Sequence, residues 1–262
     1  KKSNTVQNKF QSNKSSIKSN NNMYIRERCP LCNNESRIKE ILKVDQNFEN
    51  FIDSYYGDGG FKKSSQYVDN AITYSQCIQC KLIYQQNILS DKGMFMLYEK
   101  LIDPEKSLKK RLSYTAKQNL RGVLLLFTLI FKIKKPIKNI IIVDLGMGFG
   151  NMLSYAKALG CITSFGVELS QLRIDYAKNN FGIDSYSSLS DFEDNSIDLI
   201  ISNQSLEHIP DVRDSLNLIE KKLAFGGLSY IAVPNSSINQ KLLKKGPFQP
   251  LEHINSFTPK SK

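Results

Sequence analysis

The chain has 262 residues, of which 40% are hydrophobic and 23% charged, which is typical of a globular protein with one ordinary domain and a smaller one. Its formal net charge of +11 is concentrated in two stretches: residues 1–22 carry five lysines and no acid, and residues 106–143 carry ten Lys or Arg and no acid. The remainder has a net charge of −4, which excludes a basic surface over the whole protein. A nucleic acid is therefore not the expected partner.

Residues 1–22 form a basic tail rich in Lys, Ser and Asn, and this composition predicts disorder. The tail has neither the apolar segment of a secretory signal nor the arginines of a transit peptide, so we expect a cytoplasmic protein. We expect the folded part to begin at Met23.

Four cysteines form two C-x-x-C pairs, Cys29–Cys32 and Cys77–Cys80, separated by 44 residues. Each pair supplies two thiolates at a spacing that a tetrahedral zinc ion accepts, which predicts a Zn(Cys)₄ site within a module over residues 23–100. The alternative is four unlinked thiols in a reducing cytosol. Cys161, in a predicted strand, is expected to be a small buried apolar residue.

Residues 101–138 are predicted to be a helical linker. Apolar residues recur at helical spacing from Lys106 to Phe131, and Pro136 would end the helix. The most apolar run, Val123–Phe131, is shorter than the ~20 residues needed to span a bilayer. We expect it to pack as a buried helix, although the lysines that follow would also suit peripheral contact with a membrane surface.

Strands and helices alternate from residue 139 to residue 262. The predicted strands are Ile140–Gly146, Thr163–Glu168, Ile183–Tyr186, Ser196–Ser202 and Leu228–Val233. Helices are predicted between them, one closed by Gly160, one capped by Ser170 and one running from Asp211 to Leu223. This alternation predicts an α/β fold with a parallel, Rossmann-like sheet covered by helices on both faces. In such a sheet, ligands bind beyond the carboxyl ends of the strands.

A glycine-rich turn follows the first of these strands, with the glycines of a G-x-G-x-G pattern at Gly146, Gly148 and Gly150. Such glycines let the backbone approach a ligand at a helix N-terminus. A dinucleotide fingerprint would need a small residue where Asn151 stands. Glu168, at the end of the second strand, could accept hydrogen bonds from two ribose hydroxyls, and Asp144 would hold the loop or meet a ligand ammonium.

Three segments, VDLGMGFG, DNSIDLIISNQSLEHIPD and GGLSYIAVPN, resemble the class I S-adenosylmethionine-dependent methyltransferases, most closely a branch with E-H-I-P-D and V-P-N segments. The resemblance covers about residues 139–258. The segment CPLC…CIQCKLIYQQN is similar to a zinc-binding region that precedes some of these domains, with Lys81 where that region usually has Gly. The resemblance implies cofactor contacts from Gly146, Gly148, Gly150 and Glu168, an adenine site at Ser188 and Leu189, and a methyl-donor end lined by Asn203 and Gln204.

The tetrapeptide LEHI occurs twice and contains both histidines, His208 and His253. His253 lies in a segment that, by the resemblance, folds over the substrate entrance, so we predict it as the general base, with His208 as the other candidate. Some related quinone-ring O-methyltransferases hold a divalent cation near the first segment, but Gln204 stands where an acid would be expected. The different flanks of the two tetrapeptides argue against a duplication.

Class I domains usually end in an antiparallel hairpin, and only 29 residues follow Val233. We therefore expect a C-terminally incomplete domain whose fifth strand could be covered by a partner chain. The predicted function is S-adenosylmethionine-dependent methyl transfer to a small-molecule or sugar-like acceptor. The alternatives are a non-catalytic zinc-containing binding protein for a polyanion or partner protein, and, less favoured by Asn151, a nicotinamide oxidoreductase.

Overall fold

The computed structural model of the chain describes residues 23–35, 38–43, 72–97, 104–236 and 251–261. The predicted disordered tail, residues 1–22, lies outside these ranges. Within them, no helix combines the length and the apolar character required to cross a membrane.

The larger sheet has five parallel strands and confirms the predicted α/β fold. Its strands are β6 (Ile141–Leu145), β7 (Thr163–Val167), β8 (Asp184–Tyr186), β9 (Ile197–Asn203) and β10 (Leu223–Ala232), in the order β10-β9-β6-β7-β8. The central strand β6 is flanked by β9 and β7, with Val143 paired to Ile200 and to Phe165. Because the strand order reverses beside β6, the crevice beyond its carboxyl end is where a ligand is expected to bind.

Helices cover both faces of this sheet. They are α3 (Ala116–Lys132), α4 (Asn151–Ala158), α5 (Gln171–Phe181) and α6 (Val212–Lys222), and short 3₁₀ helices span Ile137–Asn139, Leu189–Asp191 and Leu206–His208. One apolar core packs α3 and α4 against the sheet and includes Leu126, Leu153 and Ile142. A second core lies around Val143, Ile200 and Ile219. Alternate residues of β6 and β9 enter opposite cores, as the pleat of a sheet buried on both faces requires.

The helical linker is two helices rather than the single helix predicted. Helix α2 (Pro104–Leu112) ends before α3, and Thr115 caps α3 in a capping box with Gln118. The reciprocal bonds of this box satisfy backbone N–H groups at a helix start, so Thr115 begins a new helix.

The prediction that Val123–Phe131 is a buried helix was only partly correct. Leu126 and Ile130 are buried, whereas Leu124, Phe127 and Phe131 are 55%, 53% and 80% exposed. The segment is therefore an amphipathic part of α3 with one face in the core.

Strand β10 begins at Leu223, where a helix ending was predicted. Leu223 pairs with Ile197 and Leu228 with Leu199, so residues between them form an irregularity in the strand. Gly226 has a positive φ of 76° within it, which glycine adopts without strain. Among the described residues, β10 is an edge strand of the sheet, as the sequence predicted.

Among the described residues, the N-terminal strands and one C-terminal strand build two antiparallel sheets. Strands β1 (Met23–Ile25) and β5 (Asn87–Leu89) form one, while β2 (Ile38–Lys43), β3 (Thr73–Cys77), β4 (Ile83–Gln85) and β11 (Asn255–Ser256) form the other in the order β11-β4-β3-β2. Helix α1 (Asp91–Met96) follows β5. Strand β11, which directly follows the second LEHI, thus belongs to the sheet in which β3 ends at Cys77, with Cys80 in the turn between β3 and β4.

Candidate active site and cysteine cluster

The glycine-rich turn has the left-handed backbone that its sequence requires. Gly146, Gly148 and Gly150 have φ values of 73°, 57° and 79°. A Cβ on Gly146 would collide with the Ser205 hydroxyl, whereas a Cβ on Gly148 would meet no atom of the described residues within 4 Å. Gly148 therefore faces open space within the described part of the chain, and the helix α4 begins three residues later at Asn151.

The carboxylate of Glu168 organises both this turn and the start of α5. Its Oε2 accepts a hydrogen bond from the Gly148 N–H across 3.0 Å, and its Oε1 accepts from the N–H groups of Leu169 and Ser170. Ser170 is the N-cap residue of α5, but its side chain makes no capping bond. Arg173 Nη1 lies 3.7 Å from Glu168 Oε2. The carboxylate thus stands at the edge of the open space above Gly148.

Asp144, in the same crevice, is buried at 3% exposure. Burial raises its pKa to about 7, with the negative charge of Glu168 as a smaller cause in the same direction. A ligand cation nearby would favour its ionised form and offset both effects.

The segment after β9 closes onto the glycine-rich turn. The Ser205 hydroxyl donates a hydrogen bond to Leu145 O at 2.8 Å, and the Gln204 N–H donates to Ala232 O at 2.8 Å. Asn203 and Gln204 are exposed at the carboxyl edge. Ser205, which the sequence analysis did not single out, is the residue that joins this segment to the turn.

The two residues expected near an adenine lie after β8. Ser188 caps the 3₁₀ helix Leu189–Asp191, and Leu189 is buried. Sequence reasoning missed Gly166, which lies in β7. A Cβ at Gly166 would collide with the side chain of Met147 in the glycine-rich turn. An isolated glycine within a strand is a sequence signal for such close approach.

The two histidines are in contact, although 44 residues separate them in the chain. Their ring centroids are 4.8 Å apart and the ring planes meet at 82°. His208 Nδ1 lies 2.9 Å from Glu252 O. A carbonyl only accepts, so Nδ1 carries the proton and Nε2 of the neutral ring is an acceptor. Burial lowers the pKa of His208 to about 4, so the ring is neutral at physiological pH.

Glu207 lies beside the histidine pair and is almost completely buried. Its exposure is 1%, and among the described residues neither carboxylate oxygen has a hydrogen-bond partner. Burial raises its pKa to about 7. Its Oε1 is 3.9 Å from His208 Nε2, and because burial favours the neutral form of both groups, this is a polar contact more than an ion pair. The ligand atoms of Glu207, His208 and His253 lie within 4.8 Å of one another, which is also close enough for one metal ion.

The four paired cysteines form one cluster, as the sequence predicted. Cys29 Sγ lies 3.5 Å from Cys80 Sγ, and Cys32 Sγ lies 3.5 Å from Cys77 Sγ. All four sulfurs lie within 4.8 Å of one another. A tetrahedral ion with Zn–S bonds of about 2.3 Å separates its sulfurs by about 3.8 Å, so the residues fit a zinc ion. Cys161 is buried and lies outside this cluster, as expected, but it precedes β7 and is not in a strand as was predicted.

Both C-x-x-C turns have the same backbone design. The residue after each second cysteine, Asn33 or Lys81, has a positive φ of 58° or 62° and donates its N–H to the carbonyl of the first cysteine. This conformation explains why glycine suits the position of Lys81. A hydrogen bond from the Cys80 thiol lowers the pKa of Cys29 to about 5, which favours a thiolate in the cluster.

Comparison with known proteins indicates the family to which this chain belongs. A family model described as "Methyltransferase domain" matches residues 113–261, which is more than half of the chain. The ubiquinone biosynthesis O-methyltransferase of Bartonella tribocorum is 32% identical over 108 residues, which are 38% of this chain and 43% of that protein. The chain therefore spans less than half the length of this relative.

Solved structures with similar folds have low sequence identity. A SAM-dependent methyltransferase from Archaeoglobus fulgidus is 20% identical with a TM-score of 0.47, and the match covers 60% of this chain and 69% of that one. The plantazolicin methyltransferase BpumL, in complex with SAH, is 18% identical with a TM-score of 0.46, and the match covers 62% of this chain and 64% of that one.

Proposed function

This chain belongs to the methyltransferase-domain family, and from that premise we propose that it transfers a methyl group from S-adenosylmethionine to a small-molecule or sugar-like acceptor. The observation that carries the proposal is the open space at Gly148, bordered by the carboxylate of Glu168. A backbone turn without side chains, next to a carboxylate at the end of the second strand, suits a ligand with a ribose.

Different residues at this edge of the sheet would bind different parts of S-adenosylmethionine. Glu168 would accept hydrogen bonds from the ribose hydroxyls, and the turn at Gly146, Gly148 and Gly150 would pass the methionine part. Ser188 and Leu189 would flank the adenine, and Asn203 and Gln204 would border the methyl-donor end. Asp144 would meet the ligand ammonium, whose positive charge would return this buried acid to its ionised form.

Bound S-adenosylmethionine would supply an electrophilic methyl group, so the protein must chiefly hold the acceptor in line with it. A base is needed only for an acceptor that loses a proton. His253 is our preferred base and His208 the second candidate. His208 carries its proton on Nδ1 and has an acceptor at Nε2, as a neutral base requires, but its low pKa makes it a weak one.

We further propose that Cys29, Cys32, Cys77 and Cys80 hold a structural zinc ion. The support is that the four Sγ atoms lie within 4.8 Å of one another. Among the described residues, no His, Asp or Glu side chain belongs to this group. Four protein ligands leave no open coordination position, so this ion would stabilise the fold and take no part in methyl transfer.

Calorimetry with S-adenosylhomocysteine tests the proposed function directly. We expect binding by the parent protein, and no detectable heat of binding would overturn the proposal. With an acceptor in hand, His253→Gln and His208→Gln would be compared for methyl transfer. A loss of ~10²-fold or more identifies the base, and equal, negligible losses would remove both residues from the mechanism.

A second candidate function is binding of a partner protein or a polyanion by the outer face of α3. Leu120, Leu124, Phe127 and Phe131 are exposed there, and Lys117, Arg121 and Lys132 are exposed nearby. This face would explain the local basic charge. Steeply salt-dependent binding of an anionic polymer, without affinity for S-adenosylhomocysteine, would favour this function over methyl transfer.

A further inference from the structure

Arg26 is a buried arginine, three residues before the first cysteine of the cluster. It is 7% exposed, and its guanidinium donates five hydrogen bonds to neutral oxygens. Nε and Nη2 donate to Gln85 O at 2.9 and 2.6 Å, Nη2 also donates to Ile254 O at 2.7 Å, and Nη1 donates to Pro210 O at 3.1 Å and Asn255 Oδ1 at 2.9 Å. A planar fork that reaches three separate parts of the chain has a geometry that lysine cannot reproduce.

Asn255 extends this network to the first LEHI segment. It is 1% exposed, and its Nδ2 donates to Leu206 O at 3.1 Å and to Ile209 O at 2.7 Å. These two carbonyls flank His208 on either side. One amide side chain therefore fixes the turn that presents this histidine.

The second LEHI segment is attached to the same arginine. Ile254, which follows His253, gives its carbonyl to Arg26 and also to the backbone N–H of Gln85. The side chain of Gln85 contacts His253 O at 3.4 Å. Since Glu252 O accepts from His208 Nδ1, each LEHI segment is held on both sides of its histidine.

Short segments of the chain connect the cysteine cluster to the hydrogen-bond network of Arg26 and Asn255. Arg26 and Cys29 share one short segment, and β4, which carries Gln85, begins three residues after Cys80. The first C-x-x-C turn also receives two hydrogen bonds from Arg213 of α6: its N–H donates to Pro30 O at 2.9 Å and its Nε to Leu31 O at 2.9 Å. Helix α6 begins at Val212, three residues after the first LEHI segment ends at Ile209. The module thus holds both segments through a network of polar bonds, of which those from Arg26 to Gln85 O, Ile254 O and Asn255 Oδ1 are buried and therefore strong.

We propose that Arg26 is a positioning residue that, through Asn255, holds His208 and His253 in ring contact at the methyl-acceptor edge of the sheet. The cysteine module is thereby a structural part of the active site. This inference rests on the proposed function for the role of the histidines, and on the described contacts alone for their placement.

Two substitutions separate positioning from folding. Arg26→Lys keeps the buried charge but loses the fork. Asn255→Asp keeps the size of the side chain and offers Arg26 a carboxylate, yet removes the two donors that hold Leu206 O and Ile209 O. Arg28→Lys is the matched control, because Arg28 lies two residues from Arg26 and makes an exposed ion pair with Glu35.

The readout is the nitrogen-15 spectrum of the imidazoles, which is simple because the chain has two histidines. The parent and Arg28→Lys should show the Nδ1–H tautomer for His208 and a nuclear Overhauser contact between the rings. Arg26→Lys should lose the ring contact. Asn255→Asp should move His208 toward the Nε2–H tautomer. The His253 signals of Asn255→Asp should resemble those of the parent more closely than the His253 signals of Arg26→Lys do.

Binding of S-adenosylhomocysteine, measured on the same samples, distinguishes a failure of the positioning role from a failure of the proposed function. We expect its affinity to change by less than about twofold in both variants, because none of the described hydrogen bonds of the Arg26 and Asn255 side chains goes to the glycine-rich turn. Unchanged imidazole spectra in both variants would overturn the positioning role. If Arg26→Lys does not fold, Asn255→Asp alone decides. Failure of the parent to bind S-adenosylhomocysteine would contradict the proposed function and leave the imidazole result standing.

Discussion

The carboxylate of Glu168 accepts a hydrogen bond from the backbone N–H of Gly148 across 3.0 Å, which joins the end of β7 to the centre of the glycine-rich turn. The same carboxylate accepts from two N–H groups at the start of α5. One side chain therefore shapes the turn and would also hold the ribose of the ligand.

Replacing Glu168 should weaken ligand binding strongly. A hydrogen bond to a charged group contributes about 1.5–3 kcal/mol, so Glu168→Ala should weaken S-adenosylhomocysteine binding by ~10–100-fold or more. Glu168→Gln, which keeps one carbonyl oxygen, should lose less. Calorimetry checks both, with the exposed Glu193→Ala as control. Equal affinities for Glu168→Ala and Glu193→Ala would remove Glu168 from the ligand site.

Gly148→Ala should separate ligand binding from stability. The positive φ at Gly148 should cost ~1 kcal/mol of unfolding free energy, since a Cβ there meets no other atom of the described residues. That methyl group would occupy the space needed by the ligand, so affinity for S-adenosylhomocysteine should fall by more than ~10-fold.

Gly182→Ala is the matched control for this substitution. Gly182 has a similar φ of 62° and lies at the end of α5, where a Cβ would approach only the flexible end of Lys157, at 3.5 Å. It should lose similar stability in urea unfolding and keep its affinity. Equal affinity losses in the two alanine variants would contradict the assignment of the open space to a ligand.

Substitution of the cluster cysteines should remove a bound metal. The purified parent should contain about one zinc ion per chain, and Cys80→Ser, which removes one thiolate, should lower both the zinc content and the unfolding temperature. Cys161→Ser should retain the zinc because Cys161 lies outside the cluster. Elemental analysis provides the measurement. A parent without zinc after expression in zinc-supplemented medium would count against the site.

Glu207 should make the protein less stable as the pH rises. Its pKa is raised from 4.5 to about 7 by burial, so the folded state keeps a proton that the unfolded state has lost. The stability that this proton provides is complete below the unfolded pKa, falls between 4.5 and about 7, and is absent above that range. Glu207→Gln resembles the neutral acid, so it should remove this pH-dependent fall in unfolding free energy. The fall amounts to at most ~3 kcal/mol.

The measurement is the difference in unfolding free energy between the parent and Glu207→Gln at about pH 5 and about pH 8. The difference is needed because Asp144 and His208 also have shifted pKa values that affect stability in this range. Glu220→Gln, on the exposed side of α6, is the control. A difference that does not vary with pH would show that Glu207 is not held in its protonated form.

Much of the backbone at the carboxyl edge of the sheet could be predicted because its signals are local. The β-branched run Ile140–Val143 specifies a buried strand, and the glycines that follow it need a positive φ wherever the chain goes. The paired cysteines likewise carry their spacing within four residues. The break before α3 had a local signal too, since Thr115 and Gln118 form a capping box, but the helical spacing of apolar residues obscured it.

The sequence by itself determined the strand and helix alternation, the glycine-rich turn, the carboxylate at the end of the second strand and the two pairs of cysteines. Each depends on residues close together in the chain, whose conformational preferences act locally. Only the tertiary structure decided that His208 and His253 touch, and that the two LEHI segments meet through Arg26 and Asn255. That contact depends on the pairing of β11 with β4, which joins residues about 170 positions apart. Such a pairing is selected by the burial and hydrogen bonding of the whole fold, and no local pattern specifies it.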